Sequence, residues 1–160
     1  MSQLWRISRH SDLEGLGGER ADGRWHSMAK GKRIVYLSEH PSLALIEMLA
    51  NLKGEPRLLP ESYRLLKISV EERVVRSAQT TGTLSKDWRE RLSETRAVGD
   101  AWLAASSSVL LIVPSAPSPE SWNYLLNPRH PDALSLQVEW SKWIDYDKRL
   151  FHLREAERET

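Results

Sequence analysis

One carboxylate interrupts an otherwise apolar segment: Glu47 stands within residues 43–50, where every other residue is leucine, isoleucine, methionine or alanine. Such a segment buries one face, and a carboxylate taken out of water costs free energy unless hydrogen bonds or an ion pair compensate it. The chain must therefore fold so that polar partners reach Glu47. Two interpretations stay open at this point, a structural carboxylate at a helix border or in a buried ion pair, and a catalytic acid.

Composition narrows the classes of protein that need consideration. The 160 residues predict one domain, 1–160, and the 23 basic and 22 acidic side chains nearly cancel. This balance argues against a nucleic-acid-binding or membrane-surface protein. The absence of cysteine excludes a disulfide scaffold, a thiolate metal site and a cysteine nucleophile. The chain shows no apolar leader and no stretch near the ~20 residues that span a bilayer, so we expect a cytoplasmic protein.

The pattern along the chain predicts strands and helices in irregular order. Apolar alternation and β-branched runs indicate strands, and Pro41 suits the first turn of a helix that runs to about Leu52. Further helical stretches fall within 86–105, and prolines make 114–131 irregular. The predicted strands cover 5–7, 34–37, 63–70, 109–113 (a central strand), 136–140 and 149–153. Without a regular strand–helix–strand alternation, we expect an α+β fold.

Four short motifs hold candidate binding or catalytic residues. Arg24 follows Gly23 and offers a planar cation for phosphate or carboxylate, although a solvated arginine is the more common case. Tyr36 lies on a predicted strand just before the Glu47 helix and could stack on a heterocycle or simply fill the core. Ser115 follows a buried strand and could bind a ligand or cap a turn. Asn127, before Pro128, could bind a ligand or form a structural turn.

The sequence shows no motif typical of a metal site or of the common nucleotide-binding loops. The histidines show no spacing typical of a zinc site, and neither a phosphate-binding P-loop nor a dinucleotide-binding glycine motif is present. We therefore expect no metal.

Taken in order, these motifs resemble the RES domain family, which is named for an arginine, a glutamate and a serine. The resemblance runs from Trp5 to about Trp140 and places that trio at Arg24, Glu47 and Ser115. One departure is His26, where the family often has asparagine. The segments that carry the resemblance are 23–25, 35–37, 41–47, 113–116 and 123–128.

The resemblance implies a compact α+β fold related to the ADP-ribosyltransferase core of diphtheria-type toxins. It implies a toxin of a type II toxin–antitoxin system that cleaves the nicotinamide–ribose bond of NAD, as a phosphorylase or glycohydrolase, and arrests growth. Glu47, Arg24 and Ser115 would be catalytic, and Arg24, Tyr36, Ser115 and Asn127 would bind NAD.

The expected partner is an Xre-type antitoxin, and the chain could form a homodimer or a toxin–antitoxin hetero-oligomer. Two alternatives remain, an ADP-ribosyltransferase that modifies a host protein and a non-catalytic partner-binding module.

Overall fold

The computed structural model describes residues 1–52 and 61–150, and its strands form one seven-stranded sheet. The strands follow runs of β-branched, leucine and aromatic residues, which suit a pleated, half-buried surface. They are β1 (Ser2–Ile7), β2 (Val35–Ser38), β3 (Ser62–Val70), β4 (Gln79–Thr80), β5 (Leu110–Pro114), β6 (Trp122–Leu126) and β7 (Leu136–Asp145).

The strand order is β4-β5-β6-β2-β1-β3-β7, and only the β4–β5 pair is parallel. Most neighbouring strands are joined over several residues, for example six pairs between β1 and β3. In contrast, β1 and β2 are joined through one pair, Trp5 with Ser38. The two strands therefore separate beyond this pair, and the separation makes room for a cleft.

The helices within the described residues are α1 (Gly17–Arg20), α2 (Pro41–Asn51), α3 (Glu72–Arg76) and α4 (Leu92–Ala105). Pro41 begins α2 because its fixed φ suits the first helical turn, and the His40 side chain accepts a hydrogen bond from the Ser42 N–H. Leu43 and Ala44 turn into the core, whereas Ile46 is exposed, so one stripe of α2 is buried. None of the helices in 1–52 and 61–150 is long and apolar enough to span a bilayer.

Two apolar clusters hold the sheet and helices together. One is built around Leu66, Ile68 and Val35, which are fully buried. The other joins Trp25, Trp88 and Trp102 to the buried side chains of β5 and β6. Three of the seven tryptophans thus fill the core beside the cleft-lining residue Tyr36.

The structure confirms the α+β fold and most predicted elements, with three differences. β6 lies inside the proline-rich segment, because the prolines bracket residues 122–126 and do not interrupt them. β5 is the second strand from the edge, not a central one. The strand predicted over 149–153 is wrong where the structure describes it, since Lys148–Leu150 forms a 3-10 turn, and residues 151–153 lie outside the described part.

Candidate active site

A cleft of about 580 Å³ lies where β1 and β2 separate. Its lining comes from β1, β2, α2, α4 and the loop after α1, and it includes Tyr36, Glu47, Arg24 and Arg96. A smaller cavity of about 270 Å³ shares Tyr36 and Glu47 with it. The separation of the two strands thus opens the sheet beside the carboxylate that interrupts the apolar segment.

Glu47 is held by two neutral hydrogen-bond donors. The Ser115 hydroxyl donates to Glu47 Oε1 at 2.7 Å, and the Asn123 side-chain amide donates to the same oxygen at 2.6 Å. Within 1–52 and 61–150, no cation lies within salt-bridge distance of Glu47. The sequence left an ion pair open as the compensation; the structure supplies neutral hydrogen bonds in its place.

The second oxygen of Glu47 remains available. Oε2 accepts no hydrogen bond from the described residues, and no buried side-chain oxygen or nitrogen among them lacks a partner. Oε2 is therefore open to solvent on a side chain that lines the cleft. One oxygen fixes the carboxylate and the other can face a ligand.

Ser115 lies under Glu47, not on the cleft surface. It is 1% exposed, its hydroxyl proton goes to Glu47, and its oxygen accepts from the Ser118 N–H at 3.2 Å. Its own N–H donates to the Ser121 carbonyl at 2.9 Å, which closes the loop between β5 and β6. The serine predicted as a site residue thus contacts Glu47 and holds it from below.

Asn123 is a contact of Glu47 that the sequence did not single out. Its Oδ1 accepts from the Ser38 hydroxyl at 2.7 Å while its amide donates to Glu47. Ser38 and Asn123 are register partners on β2 and β6, so the sheet itself orients the amide. Asn127 lies at the opposite end of β6, where its side chain bonds the Ser106 hydroxyl and the Arg129 N–H, and it does not line the cleft.

Tyr36 is oriented by a compact hydrogen-bond network. Its hydroxyl accepts from the Trp25 N–H at 3.1 Å and lies 2.8 Å from His26 Nδ1. His26 Nε2 lies 3.0 Å from the Gly18 carbonyl, which can only accept, so Nε2 carries a proton and donates to it. Burial raises the pKa of the Tyr36 phenol, which keeps it protonated and able to donate.

Gly23 makes this network sterically feasible. A Cβ at position 23 would overlap the Tyr36 hydroxyl and lie 2.7 Å from His26 Nδ1. The glycine is therefore required by the approach of the tyrosine. It also accounts for why the next residue, Arg24, projects from a backbone packed tightly against the cleft wall.

Arg24 lines the cleft but does not pair with Glu47. Its Nη1 donates to the Arg89 carbonyl at 3.0 Å, and its guanidinium lies 5.9 Å from the Trp88 ring centroid. Arg6, on β1, also lines the cleft, and burial lowers the pKa of its guanidinium. The structure thus brings Arg24, Tyr36 and Glu47 to one cleft, with Ser115 behind Glu47. Among the described residues, no group of histidine, aspartate and glutamate side chains is placed to hold a metal ion.

Comparison with known proteins places this chain in a family. The model of the RES domain matches residues 3–148. The chain belongs to the RES domain family. Its resemblance to that family in the order of its motifs is therefore confirmed over nearly the whole chain.

Two relatives and one solved structure extend the comparison. "Toxin Res" of Pseudomonas putida is 40% identical over 148 residues, 92% of this chain and 99% of that protein. The "Prs ADP-ribosylating toxin" of a Sphingobium species is 32% identical over 160 residues, 93% of this chain and 96% of that protein. A chain of the M. tuberculosis MbcT–MbcA toxin–antitoxin complex shares the fold, with a TM-score of 0.68 at 19% identity, over 97% of this chain and 89% of that chain.

Proposed function

We propose that this RES domain protein is the toxin of a toxin–antitoxin pair and that it consumes NAD by cleaving the nicotinamide–ribose bond. Its family and the names of its relatives support the toxin role. One observation carries the enzymatic part: two neutral donors fix Glu47 through Oε1, and Oε2 of this cleft-lining side chain accepts no hydrogen bond from the described residues.

The proposed reaction begins with heterolysis of the glycosidic bond. The bond between ribose C1′ and the pyridinium nitrogen breaks, its electron pair goes to nitrogen, and neutral nicotinamide leaves. The ribose is left with oxocarbenium character. A phosphate or water oxygen then bonds to C1′, and the acceptor releases its proton if water attacks.

Glu47 would stabilise the developing positive charge. A carboxylate that is already oriented needs no reorganisation when charge appears, and such preorganised electrostatics supply a large share of many rate enhancements. Its two donors bind Oε1 only, which leaves Oε2 for the ribose cation or a ribose hydroxyl. Ser115 and Asn123 then act as positioning residues.

Tyr36 and Arg24 would bind the two ends of the reacting part of NAD. The Tyr36 ring is rigidly held and lines the cleft, as stacking on nicotinamide requires. Arg24 offers a guanidinium to the pyrophosphate, or to a phosphate that acts as acceptor.

A second candidate activity is transfer of ADP-ribose to a protein side chain. The observation that favours it is the name of the Sphingobium relative, which is called an ADP-ribosylating toxin and matches 93% of this chain. The bond that breaks is the same, and only the nucleophile that bonds to C1′ differs. The residues of the cleft serve both reactions.

Product analysis separates these activities. The purified chain is incubated with NAD labelled in the adenosine part, with and without inorganic phosphate, and with a bacterial lysate. Nicotinamide release with ADP-ribose or its 1-phosphate supports NAD consumption, whereas label on a protein supports transfer. Folded, antitoxin-free protein that releases no nicotinamide under any condition contradicts both and leaves the partner-binding module.

The proposed partner is an antitoxin of Xre type. The solved structure that shares this fold is a toxin–antitoxin complex, which makes an antitoxin the expected partner here. Co-expression with an antitoxin of Xre type from the same genome should restore growth and yield a stable complex on size-exclusion chromatography. Growth arrest that co-expression does not relieve would contradict this pairing.

A further inference from the structure

Three arginine side chains, Arg6, Arg24 and Arg96, line the cleft without a salt bridge to a described residue. Arg24 and Arg96 are both half-buried and line the same cavity. Among residues 1–52 and 61–150, neither lies within salt-bridge distance of a carboxylate. Asp22, an acidic residue of the same lining, is exposed and accepts from the Met28 N–H. Half-buried guanidinium groups without a carboxylate favour an anionic ligand.

Arg96 is held in place by a contact between α4 and the segment 23–25. Its Nε donates to the Gly23 carbonyl at 2.9 Å, and the neighbouring Thr95 hydroxyl donates to the Arg24 carbonyl at 2.6 Å. One turn further along α4, a Cβ on Gly99 would overlap the Trp25 carbonyl. Three residues of one helix thus contact three consecutive carbonyls, and this fixes the position of Arg96 relative to Arg24.

The charges of both guanidinium groups act on the Tyr36 hydroxyl. Burial raises the pKa of the Tyr36 phenol, and the charges of Arg96 and Arg24 both oppose that rise. Each arginine donates one hydrogen bond to a backbone carbonyl: Arg96 donates to Gly23, and Arg24 donates to Arg89. Because a guanidinium has further N–H donors, both retain donors for a ligand beside Tyr36.

We propose that Arg96 completes a two-arginine site with Arg24 that binds phosphoryl oxygens of the substrate. The inference rests on the proposed function and adds a binding residue outside the named trio. Two ligands could supply the phosphoryl oxygens that this site binds: the pyrophosphate of NAD, or inorganic phosphate as the acceptor. Because Arg96 lies on helix α4 and not on a loop, the position of its guanidinium group is well fixed.

Equilibrium binding tests the site without requiring turnover. ADP-ribose, inorganic phosphate and nicotinamide riboside, which has no phosphate, are titrated into wild type and Arg96→Gln by calorimetry. We expect Arg96→Gln to weaken ADP-ribose, phosphate or both on the order of ten- to hundredfold, with nicotinamide riboside unchanged. The ligand that is weakened identifies the source of the phosphoryl group.

Arg91, just before the first residue of α4, provides a matched control. Arg91 precedes α4, is exposed and pairs with Asp87 at 2.8 Å, so Arg91→Gln makes the same charge change outside the cleft lining. Arg91→Gln should leave the binding of all three ligands at the wild-type level. If Arg91→Gln weakens ADP-ribose as much as Arg96→Gln, the effect is one of net charge and the two-arginine site is excluded.

Three further outcomes decide against the site. Equal weakening of nicotinamide riboside and ADP-ribose by Arg96→Gln would show a purely structural role through Gly23. Unchanged binding of both phosphoryl ligands would show that Arg96 does not contact them. If Arg96→Gln does not fold, Arg96→Lys is used, which keeps the charge but not the planar fork, and wild-type ADP-ribose affinity there overturns the proposal.

The proposed function fails by a different result, namely the absence of nicotinamide release by wild type. Wild type that cleaves NAD while Arg96→Gln binds the phosphoryl ligands normally overturns the inference alone.

Discussion

The two sides of the cleft are built by opposite means. On the carboxylate side, Glu47 is held by side chains, and both donors are neutral groups from the β5–β6 region. On the arginine side, Arg24 and Arg96 are held by backbone carbonyls, from Arg89 and Gly23. Neither side neutralises its charge with an opposite charge among the described residues.

The separate positioning of the negative and the positive side indicates which ligand charges the cleft would complement. If Glu47 and Arg24 formed an ion pair, each would satisfy the other, and a ligand would have to displace that bond. Held apart and oriented by neutral groups, the negative side can meet a cationic ribose while the positive side meets phosphate. NAD, the proposed substrate, carries both charges: its pyrophosphate is negative, and the positive charge of its nicotinamide ring passes to the ribose as the glycosidic bond breaks.

The largest expected effect comes from removing the negative charge on the carboxylate side. Glu47→Gln keeps an oxygen for the Ser115 and Asn123 donors but replaces Oε2 with an uncharged amide. We expect kcat for nicotinamide release to fall about a hundred- to thousandfold, because the stabilising charge is lost at the transition state. Steady-state kinetics measure this, and the fall in kcat should exceed any loss of ADP-ribose affinity.

Glu39→Gln is the matched control. Glu39 is also near β6, where it accepts from the Trp122 N–H, but it is exposed and does not line the cleft. Its kcat should equal that of wild type. Full activity in Glu47→Gln would remove the carboxylate side from the mechanism.

The next largest effect comes from disturbing the arginine side through its backbone. In Gly23→Ala the new methyl would overlap the Tyr36 hydroxyl, so the tyrosine or the segment 23–25 has to move. We expect the free energy of unfolding to fall by about 1–3 kcal/mol, with a loss of nicotinamide riboside affinity, since Tyr36 is displaced. Urea denaturation and calorimetry measure the two quantities.

Gly17→Ala serves as the stability control, because a Cβ there meets nothing within 4 Å. It should unfold at or slightly above the wild-type urea concentration. If Gly23→Ala is as stable as Gly17→Ala, the close approach of Tyr36 does not require the glycine.

The sequence predicts the elements of the carboxylate side because their signals are local. Pro41 and the apolar run specify α2, and the run 109–113 specifies the strand that precedes Ser115. The choice between Asn123 and Asn127 has no local signal. Asn123 lies on β6 and Asn127 directly follows its last residue, so the two amides flank the same strand, about 13 Å apart if the chain between them is extended. Only the pairing of Ser38 with Asn123 decides which end of β6 meets Glu47.

The arginine side was harder to predict because its contacts are distant in sequence. Arg96 and Thr95 contact Gly23 and Arg24 across more than 70 residues. In the sequence, Arg96 is one of many charged residues on a helix, and helical periodicity gives no reason to select it. His26 departs from the family's usual asparagine, and in the structure its Nδ1 lies 2.8 Å from the Tyr36 hydroxyl.

A smaller effect distinguishes a positioning serine from one that contacts the substrate. Ser115→Ala removes one of the two donors to Glu47 and leaves the Asn123 bond in place. We expect kcat to fall about tenfold, with KM for NAD unchanged, because one hydrogen bond to a charged group is lost. Ser118→Ala, in the same loop but bonded to Ser121, should keep wild-type kcat. A rise in KM with constant kcat in Ser115→Ala would instead place the serine on the substrate.

The smallest expected effect is a pH dependence at Tyr36, which lies between the two sides. Burial raises the pKa of this phenol above its ordinary value of 10.0, so the folded chain keeps a proton that the unfolded chain releases. The stability that Tyr36 contributes is therefore complete below about pH 10 and is lost as pH rises above it.

Tyr36→Phe cannot show this loss, and it also lacks the hydrogen bonds to Trp25 and His26. Urea unfolding should find wild type more stable than Tyr36→Phe by about 1–2 kcal/mol at pH 8, with the difference shrinking between pH 10 and 11. The titration of all other groups is common to both proteins and cancels in the difference. A difference that stays constant from pH 8 to pH 11 would mean that burial does not raise the pKa of this phenol.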